Sequence, residues 1–440
     1  MNYLHRRLEK PLKEAMEQFP VVLITGPRQA GKSTLLQHCL KGYIPGVVQE
    51  SGDGKEAPAE YPSGASDHCV SQGASEEGYS PGKADDASSR FLNHERYTYV
   101  TLDDVLVRNL AKSDPALFLK TYEPPLILDE IQYASELLPY IKMRVDKDRR
   151  KYGQYALTGS QIFPLMKGVS ESLAGRIAIF QLYPLSWTEL SNVDIYDEKQ
   201  VAEQMLEGFY PEFQVQPQLN FKYWYSAYLS TYLERDLRTM RNIHDLGQFQ
   251  RYLILLAARA GQLFNLSEIG KECGISQTTA KDWLTLLQAT SIIYLLEPYS
   301  RNITKRIVKS PKLFFVDTGL LCYLLRIETV QQLVHSPFGG HVFENMVVME
   351  KIKQMTQKGD RPHCYFYRTA SGTELDLLID HGTYLDAYEI KFSSSPKVEM
   401  THSLVEFSKE YPVKKALLLN LRRERLPFSN GTSAVHWSEN

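Results

Sequence analysis

Cysteine is scarce: five in 440 residues (Cys39, Cys69, Cys273, Cys322 and Cys364), an odd number with no two at a C-x-x-C spacing. That excludes a disulfide framework or a zinc knuckle and predicts reduced thiols in a cytosolic setting. Long apolar runs are missing as well. The longest, YLILLAA at 252–258, lies between Arg251 and Arg259 and is far too short to cross a bilayer. The opening MNYLHRRLEKPLKEAMEQF puts charges where a signal peptide needs an apolar core, so a cytoplasmic protein without a membrane partner is expected. Charge of one sign is lacking too. Fifty Lys and Arg against 52 Asp and Glu leave −2, which excludes a uniformly basic nucleic-acid coat.

What is present is ordinary globular composition, 43% apolar and 23% charged, over a length that suits several domains. One stretch departs from it. Residues 49–90 hold nine acidic and three basic side chains with eight Ser, six Gly and three Pro, and their only branched aliphatic is Val70. Such a segment cannot bury enough apolar surface to offset its ordering entropy, so it reads as a disordered acidic insertion. Around it short apolar strands alternate with helices: VVLIT (21–25), YTYVTL (97–102), PLILDE (125–130), QYALTGS (154–160) and RIAIFQL (176–182), with Asp103 as the cap of the helix after the second. That alternation predicts an α/β domain with a parallel sheet over 1–187. Residues 188–330 turn helical, and strands return in a small α/β domain over 331–440.

The string GPRQAGKST runs from Gly26 through Pro27, Arg28, Gln29, Ala30 and Gly31 to Lys32, Ser33 and Thr34, and it follows a strand and opens a helix. It matches G-x-x-x-x-G-K-[ST]: glycines let backbone N–H groups wrap phosphates, Lys32 reaches the terminal ones, and Ser33 ligates Mg²⁺. The helix dipole adds to the anion site. The strand LIL ends in Asp129-Glu130, where Asp129 suits a magnesium ligand and Glu130 polarises the attacking water. Thr158 and Ser160 in LTGS are both placed to sense the γ-phosphate, and strand parity does not choose between them. Arg176 suits an arginine finger on a neighbouring subunit's nucleotide, which would require a homo-oligomer; a structural arginine is the alternative.

GPRQAGKSTLL, LILDEIQ, LTGSQ and SESLAGRIAIFQLYPLS together resemble AAA-like ATPases of bacteria and archaea that carry a conserved C-terminal domain of unknown function. The resemblance spans nearly the whole chain apart from the 49–90 insertion. It implies Mg-ATP as the ligand and a sheet with one strand between the P-loop strand and the Asp129 strand. It implies no particular biological task.

LSEIGKECGISQTTAKDWLTLLQATSIIYLLEPY (266–299) reads as a helix-turn-helix feeding a winged domain. Ser267 caps the first helix, Gly274 makes the turn and Ser276 caps the second. Ile275, Leu284 and Leu287 face inward, while Gln277, Thr278, Lys281 and Thr285 face out, as on a DNA recognition helix. Arg301, Lys305, Arg306, Lys309 and Lys312 then form a basic wing over phosphates. A protein–protein module is the alternative.

Towards the C-terminus, Glu344 in HVFENMVVMEKI, Asp376 in GTELDLLID, and Glu389 with Lys391 in AYEIKF resemble the PD-(D/E)xK nuclease superfamily. The resemblance implies Mg²⁺ on Glu344, Asp376 and Glu389, with Lys391 steadying the nucleophile or the developing charge. Glu374 is the alternative to Asp376. With His381-Gly382 as a two-residue turn between Asp380 and Thr383, Asp376 opposes Ala387 and Glu389 is its diagonal neighbour. The reading that follows is a P-loop ATPase coupled through a winged helix to a restriction-nuclease-like domain acting on nucleic acid, with DNA as a candidate partner. Its alternatives are a nucleotide-dependent switch or a DNA-binding regulator whose nuclease-like domain is catalytically inactive.

Overall fold

The computed structural model describes residues 3–40, 97–159, 168–169, 171–190, 197–232, 245–300, 310–369 and 371–439. The acidic segment, Ser160, Arg301, Lys305, Arg306 and Lys309 lie outside the described residues.

The first domain is built on β1 (Val21–Thr25), an unbroken run of buried residues. Side chains alternate across a strand. Val21 and Leu23 therefore join one apolar cluster with Leu128, Leu138 and Ile141, and Val22 and Ile24 join another with Leu12, Leu35 and Leu36. A strand buried on both faces is the mark of a covered parallel sheet. β2 (Thr98–Thr101), β3 (Leu126–Asp129), β4 (Tyr155–Gly159) and β5 (Ile177–Gln181) complete it in the order β2-β3-β4-β1-β5, every pair parallel. β4 lies between β1 and β3, where the resemblance puts a strand. On the sheet pack α1 (Glu9–Met16), α2 (Lys32–Cys39), α3 (Val105–Ser113), α4 (Pro115–Thr121) and α5 (Leu137–Lys147). The cap of α3 is Asp104 rather than Asp103: its Oδ1 accepts from the backbone N–H of Leu106 at 2.8 Å and Val107 at 3.2 Å.

The middle of the chain is helical: α6 (Glu198–Glu207), α7 (Pro211–Val215), α8 (Phe221–Tyr232), α9 (Leu246–Ala258), α10 (Leu266–Cys273) and α11 (Gln277–Ala289). α10 is capped by Asn265, not by Ser267, which falls inside the first turn. Gly274 at φ 71° makes the turn and Ser276 caps α11, its hydroxyl accepting from Thr279 N at 3.0 Å. Leu284 and Leu287 are buried, while Gln277, Thr278 and Lys281 are exposed. An antiparallel pair follows, β6 (Ile293–Leu296) with β7 (Lys312–Phe315). Next come α12 (Thr318–Leu324) and α13 (Val330–His335).

The last domain has α14 (Gly339–Thr356) against a six-stranded mixed sheet. Its strands are β8 (Cys364–Arg368), β9 (Glu374–Asp380), β10 (Leu385–Ile390), β11 (Val413–Asn420), β12 (Leu426–Pro427) and β13 (Ser433–His436), and α15 (His402–Glu410) lies between β10 and β11 in the chain. The β9–β10 register differs from the sequence expectation. Asp380 pairs with Leu385, so the loop holds four residues, His381 to Tyr384, and Ala387 opposes Leu378 instead of Asp376. Continued one step beyond Leu377–Tyr388, this register sets Asp376 opposite Glu389.

The domains are stitched together through buried polar contacts. Asn345 on α14 bonds both the N–H and the carbonyl of Phe315 on β7, each at 2.7 Å. Glu350 accepts from Trp187 N at 2.7 Å, and Lys353 donates to the Leu185 carbonyl at 3.0 Å. Desolvation lowers the Lys353 ammonium's pKa to about 8. Among the described residues four cysteines are free and buried, and no helix is long and apolar enough to cross a membrane.

Candidate functional site

The phosphate loop leaves β1 at its carboxyl end and feeds α2. Gly26 sits at φ 146°, and a Cβ there would lie 2.0 Å from the Leu182 carbonyl oxygen. Backbone has to pass backbone at this point, which only glycine permits. Gly26→Ala is therefore expected to abolish nucleotide binding, measured by titration with a fluorescent ATP analogue; unchanged affinity would contradict this packing. Gly31, at φ 87°, starts the helix, and Lys32 is its first residue. The Lys32 side chain is 5% exposed and turns back under the loop, donating to the carbonyls of Gly26 at 3.2 Å and Pro27 at 2.8 Å.

Beside it, strand ends assemble an oxygen cluster. Ser33 Oγ donates to Asp129 Oδ1 at 2.6 Å, and Thr158 Oγ1 bonds the same oxygen. Tyr99 OH donates to Asp129 Oδ2 at 2.7 Å. Burial first, and the Asp129 carboxylate second, push the Tyr99 phenol up, so it remains a neutral donor. Thr158 thus bonds Asp129, and its Oγ1 also accepts from Glu130 N at 3.0 Å. Glu130 follows in left-handed backbone, φ 59°, with its carboxylate bonded by the Gln132 amide. Arg28 turns outward to the Tyr133 hydroxyl at 3.0 Å.

The loop is also held from residues that sequence reasoning passed over. Arg6, 5% exposed, donates from Nη1 to the Ala30 carbonyl at 2.8 Å, from Nη2 to the Tyr183 carbonyl at 2.7 Å and from Nε to Glu189 at 3.0 Å. Glu189 in turn accepts from Arg7 N at 2.8 Å and from the Gln357 amide at 2.7 Å. Next to Gly31 opens a cavity of about 460 Å³ lined by Tyr3, Arg6, Thr34, His38, Pro211 and Glu212 among others. The Tyr3 and His38 rings stack on its wall, 3.6 Å between centroids. Arg176 is not brought to this site. It precedes β5, at the opposite end of the sheet from the phosphate loop, and pairs with Asp146 through Nε at 2.7 Å and Nη2 at 3.1 Å.

In the C-terminal domain Glu344 on α14, Asp376 on β9, and Glu389 and Lys391 at the end of β10 do converge. They gather around ammonium groups, however, and not around an open cation site. Lys312, expected on an exposed basic wing, is 2% exposed at the head of β7. Its Nζ lies 3.1 Å from Glu344, 2.6 Å from Glu374 and 3.8 Å from Asp376. Lys391 Nζ lies 2.7 Å from Glu389 and 3.7 Å from Asp376. Burial raises the Glu344 and Glu389 pKa values, with Asp376 adding to the effect. Burial alone would lower Lys312's pKa, but its carboxylate neighbours more than reverse this and keep it charged. Among the described residues no three His, Cys, Asp or Glu are grouped so as to hold a metal. The Mg²⁺ expected on Glu344, Asp376 and Glu389 therefore does not fit this arrangement. Long-range contact alone reveals Lys312, since its spacing in sequence from 344 and 376 carries no signal.

Residues 84–191 match a family model described as an AAA domain. Residues 198–331 and 339–439 match models of domains of unknown function, DUF8612 and DUF4143. The uncharacterized proteins Rv2008c of Mycobacterium tuberculosis and Mb2031c of Mycobacterium bovis are each 28% identical over 429 residues, covering 96% of this chain and 81% of theirs. Among solved structures, the Walker-type ATPase paby2304 of Pyrococcus abyssi aligns at 14% identity and a TM-score of 0.41, over 72% of this chain and 94% of that one. The segment matched as an AAA domain carries Asp129 at the end of β3 and Thr158 on β4, and the phosphate-loop string at 26–34 precedes it in the chain.

Proposed function

We propose that this protein binds and hydrolyses ATP at the P-loop domain and that nucleotide state acts, through the helical middle, on a C-terminal domain that engages nucleic acid. The observation that carries the first half is the Ser33–Asp129–Thr158 cluster beside Lys32. A hydroxyl and an ionisable carboxylate 2.6 Å apart at the mouth of a phosphate loop are the hard-oxygen donors that suit Mg²⁺. Ser33 and Asp129 would hold the ion, which neutralises phosphate charge when bound. Loop N–H groups would hold the phosphates, and Lys32 would exchange its carbonyl partners for phosphate oxygens. The Tyr3–His38 cavity beside Gly31 has room for the nucleoside. Glu130, positioned by its own N–H on Thr158, would orient the attacking water. Glu130→Gln is expected to retain ATP binding while turnover falls by about a hundredfold or more, the usual worth of a positioned base. Undiminished turnover would remove Glu130 from that role.

The second half of the proposal rests on the exposed Gln277, Thr278 and Lys281 of α11, the β6–β7 pair behind them, and the helix–strand–strand placement of Glu344, Asp376, Glu389 and Lys391. Plasmid nicking that needs both ATP and Mg²⁺ and disappears in Lys391→Ala would support coupling to cleavage. ATP turnover without nicking would leave a nucleotide-dependent switch.

A further inference from the structure

The carboxylate cluster of the C-terminal domain is completed from outside it. Glu344, Glu374, Asp376 and Glu389 belong to α14, β9 and β10, but the ammonium among the first three belongs to Lys312, on the β7 strand of the middle segment. β7 is clamped there by Asn345 on its Phe315 backbone and by the Gly261 N–H on the Leu313 carbonyl at 2.7 Å. Arg368 reaches the other oxygen of Glu374 at 3.2 Å from the half-exposed rim, so two buried or half-buried lysines and this arginine face four acids. Glu389 shows the shortfall of positive charge: the residue is 9% exposed, one carboxylate oxygen pairs with Lys391, and the other is buried without a hydrogen-bond partner. A buried carboxylate oxygen left this way is costly, and a cation is what would relieve it.

We infer that Lys312 is a built-in cation that fills this cluster and keeps divalent metal out of it for as long as β7 is docked on α14. An ammonium brings one charge and three donors to oxygens that a divalent ion would bind directly, and the two cannot share the position. The cluster is then a cation site under the control of the middle segment, and the ligand class it would take on release of Lys312 is a hard divalent ion such as Mg²⁺ or Mn²⁺. This rests on the nuclease-like reading of the domain, but its readout is metal binding and not cleavage, so an absence of nicking leaves it intact.

The test is Mn²⁺ binding to the nucleotide-free full chain, followed by electron paramagnetic resonance. Wild type is expected to show no site that depends on Asp376. Lys312→Met is expected to gain one, at least about tenfold tighter than any wild-type binding, and to lose it again in Lys312→Met with Asp376→Asn. An Asp376-dependent site of equal affinity in wild type would overturn the inference. So would a folded Lys312→Met chain without the new site. If Lys312→Met folds only when Mn²⁺ is present during refolding, that rescue supports the ammonium as a cation equivalent; failure to fold with Mn²⁺ present counts against it.

Discussion

Lys32→Ala is expected to weaken ATP binding by about tenfold to a hundredfold, since a hydrogen bond to a charged group is worth about 1.5–3 kcal/mol. Turnover is expected to fall to background. Lys32 is held ready by two loop carbonyls, at 3.2 and 2.8 Å, so its ammonium already lies inside the loop that would wrap the phosphates. Truncation removes the one side-chain charge the loop carries inward, at a point where the proposed hydrolysis would depend on positioning and charge neutralisation. Circular dichroism should show an unaltered fold. A Lys32→Ala variant that hydrolyses ATP at the wild-type rate would move the nucleotide site elsewhere.

Arg6→Ala is expected to cost about 3–5 kcal/mol, the usual penalty for breaking a buried ion pair from one side. Both partners are dry: the side chains of Arg6 and Glu189 are 4% and 0% exposed. Removing the guanidinium leaves Glu189 with N–H donors but without its ion-pair partner, and leaves the Ala30 and Tyr183 carbonyls without their bonds. The first thermal transition should drop by several degrees, and ATP affinity should fall with it because the loop loses its tie at Ala30. Arg6→Lys keeps the charge but not the three-way fork and should recover only part of either. An unchanged transition would show that this hub does not support the domain.

The phosphate loop was legible because its chemistry is local: nine consecutive residues, a strand before and a helix after. Asp129 was legible for a similar reason, as the polar end of an apolar strand. Local reading erred by small steps where neighbouring residues could do one job. Asp104 caps α3 in place of Asp103, and Asn265 caps α10 in place of Ser267. The β9–β10 hairpin is two loop residues longer than its His381-Gly382 pair suggested, and that shift brings Asp376 opposite Glu389. Long-range pairing was not legible at all. Arg6 and Glu189 are 183 positions apart, and each looks in sequence like a surface charge. Lys312 stands in a basic run that reads as a solvated wing, and only the packing of β7 on α14 turns it inward.

Equilibrium binding of ATP, ADP and AMP to the purified full chain, with and without Mg²⁺, tests the central claim most directly. A site that grips phosphates through the loop, Lys32, Ser33 and Asp129 should bind ATP and ADP, bind AMP far more weakly, and tighten for ATP when Mg²⁺ is added. Equal affinity for the three nucleotides, or ATP binding that survives Lys32→Ala unchanged, would contradict it.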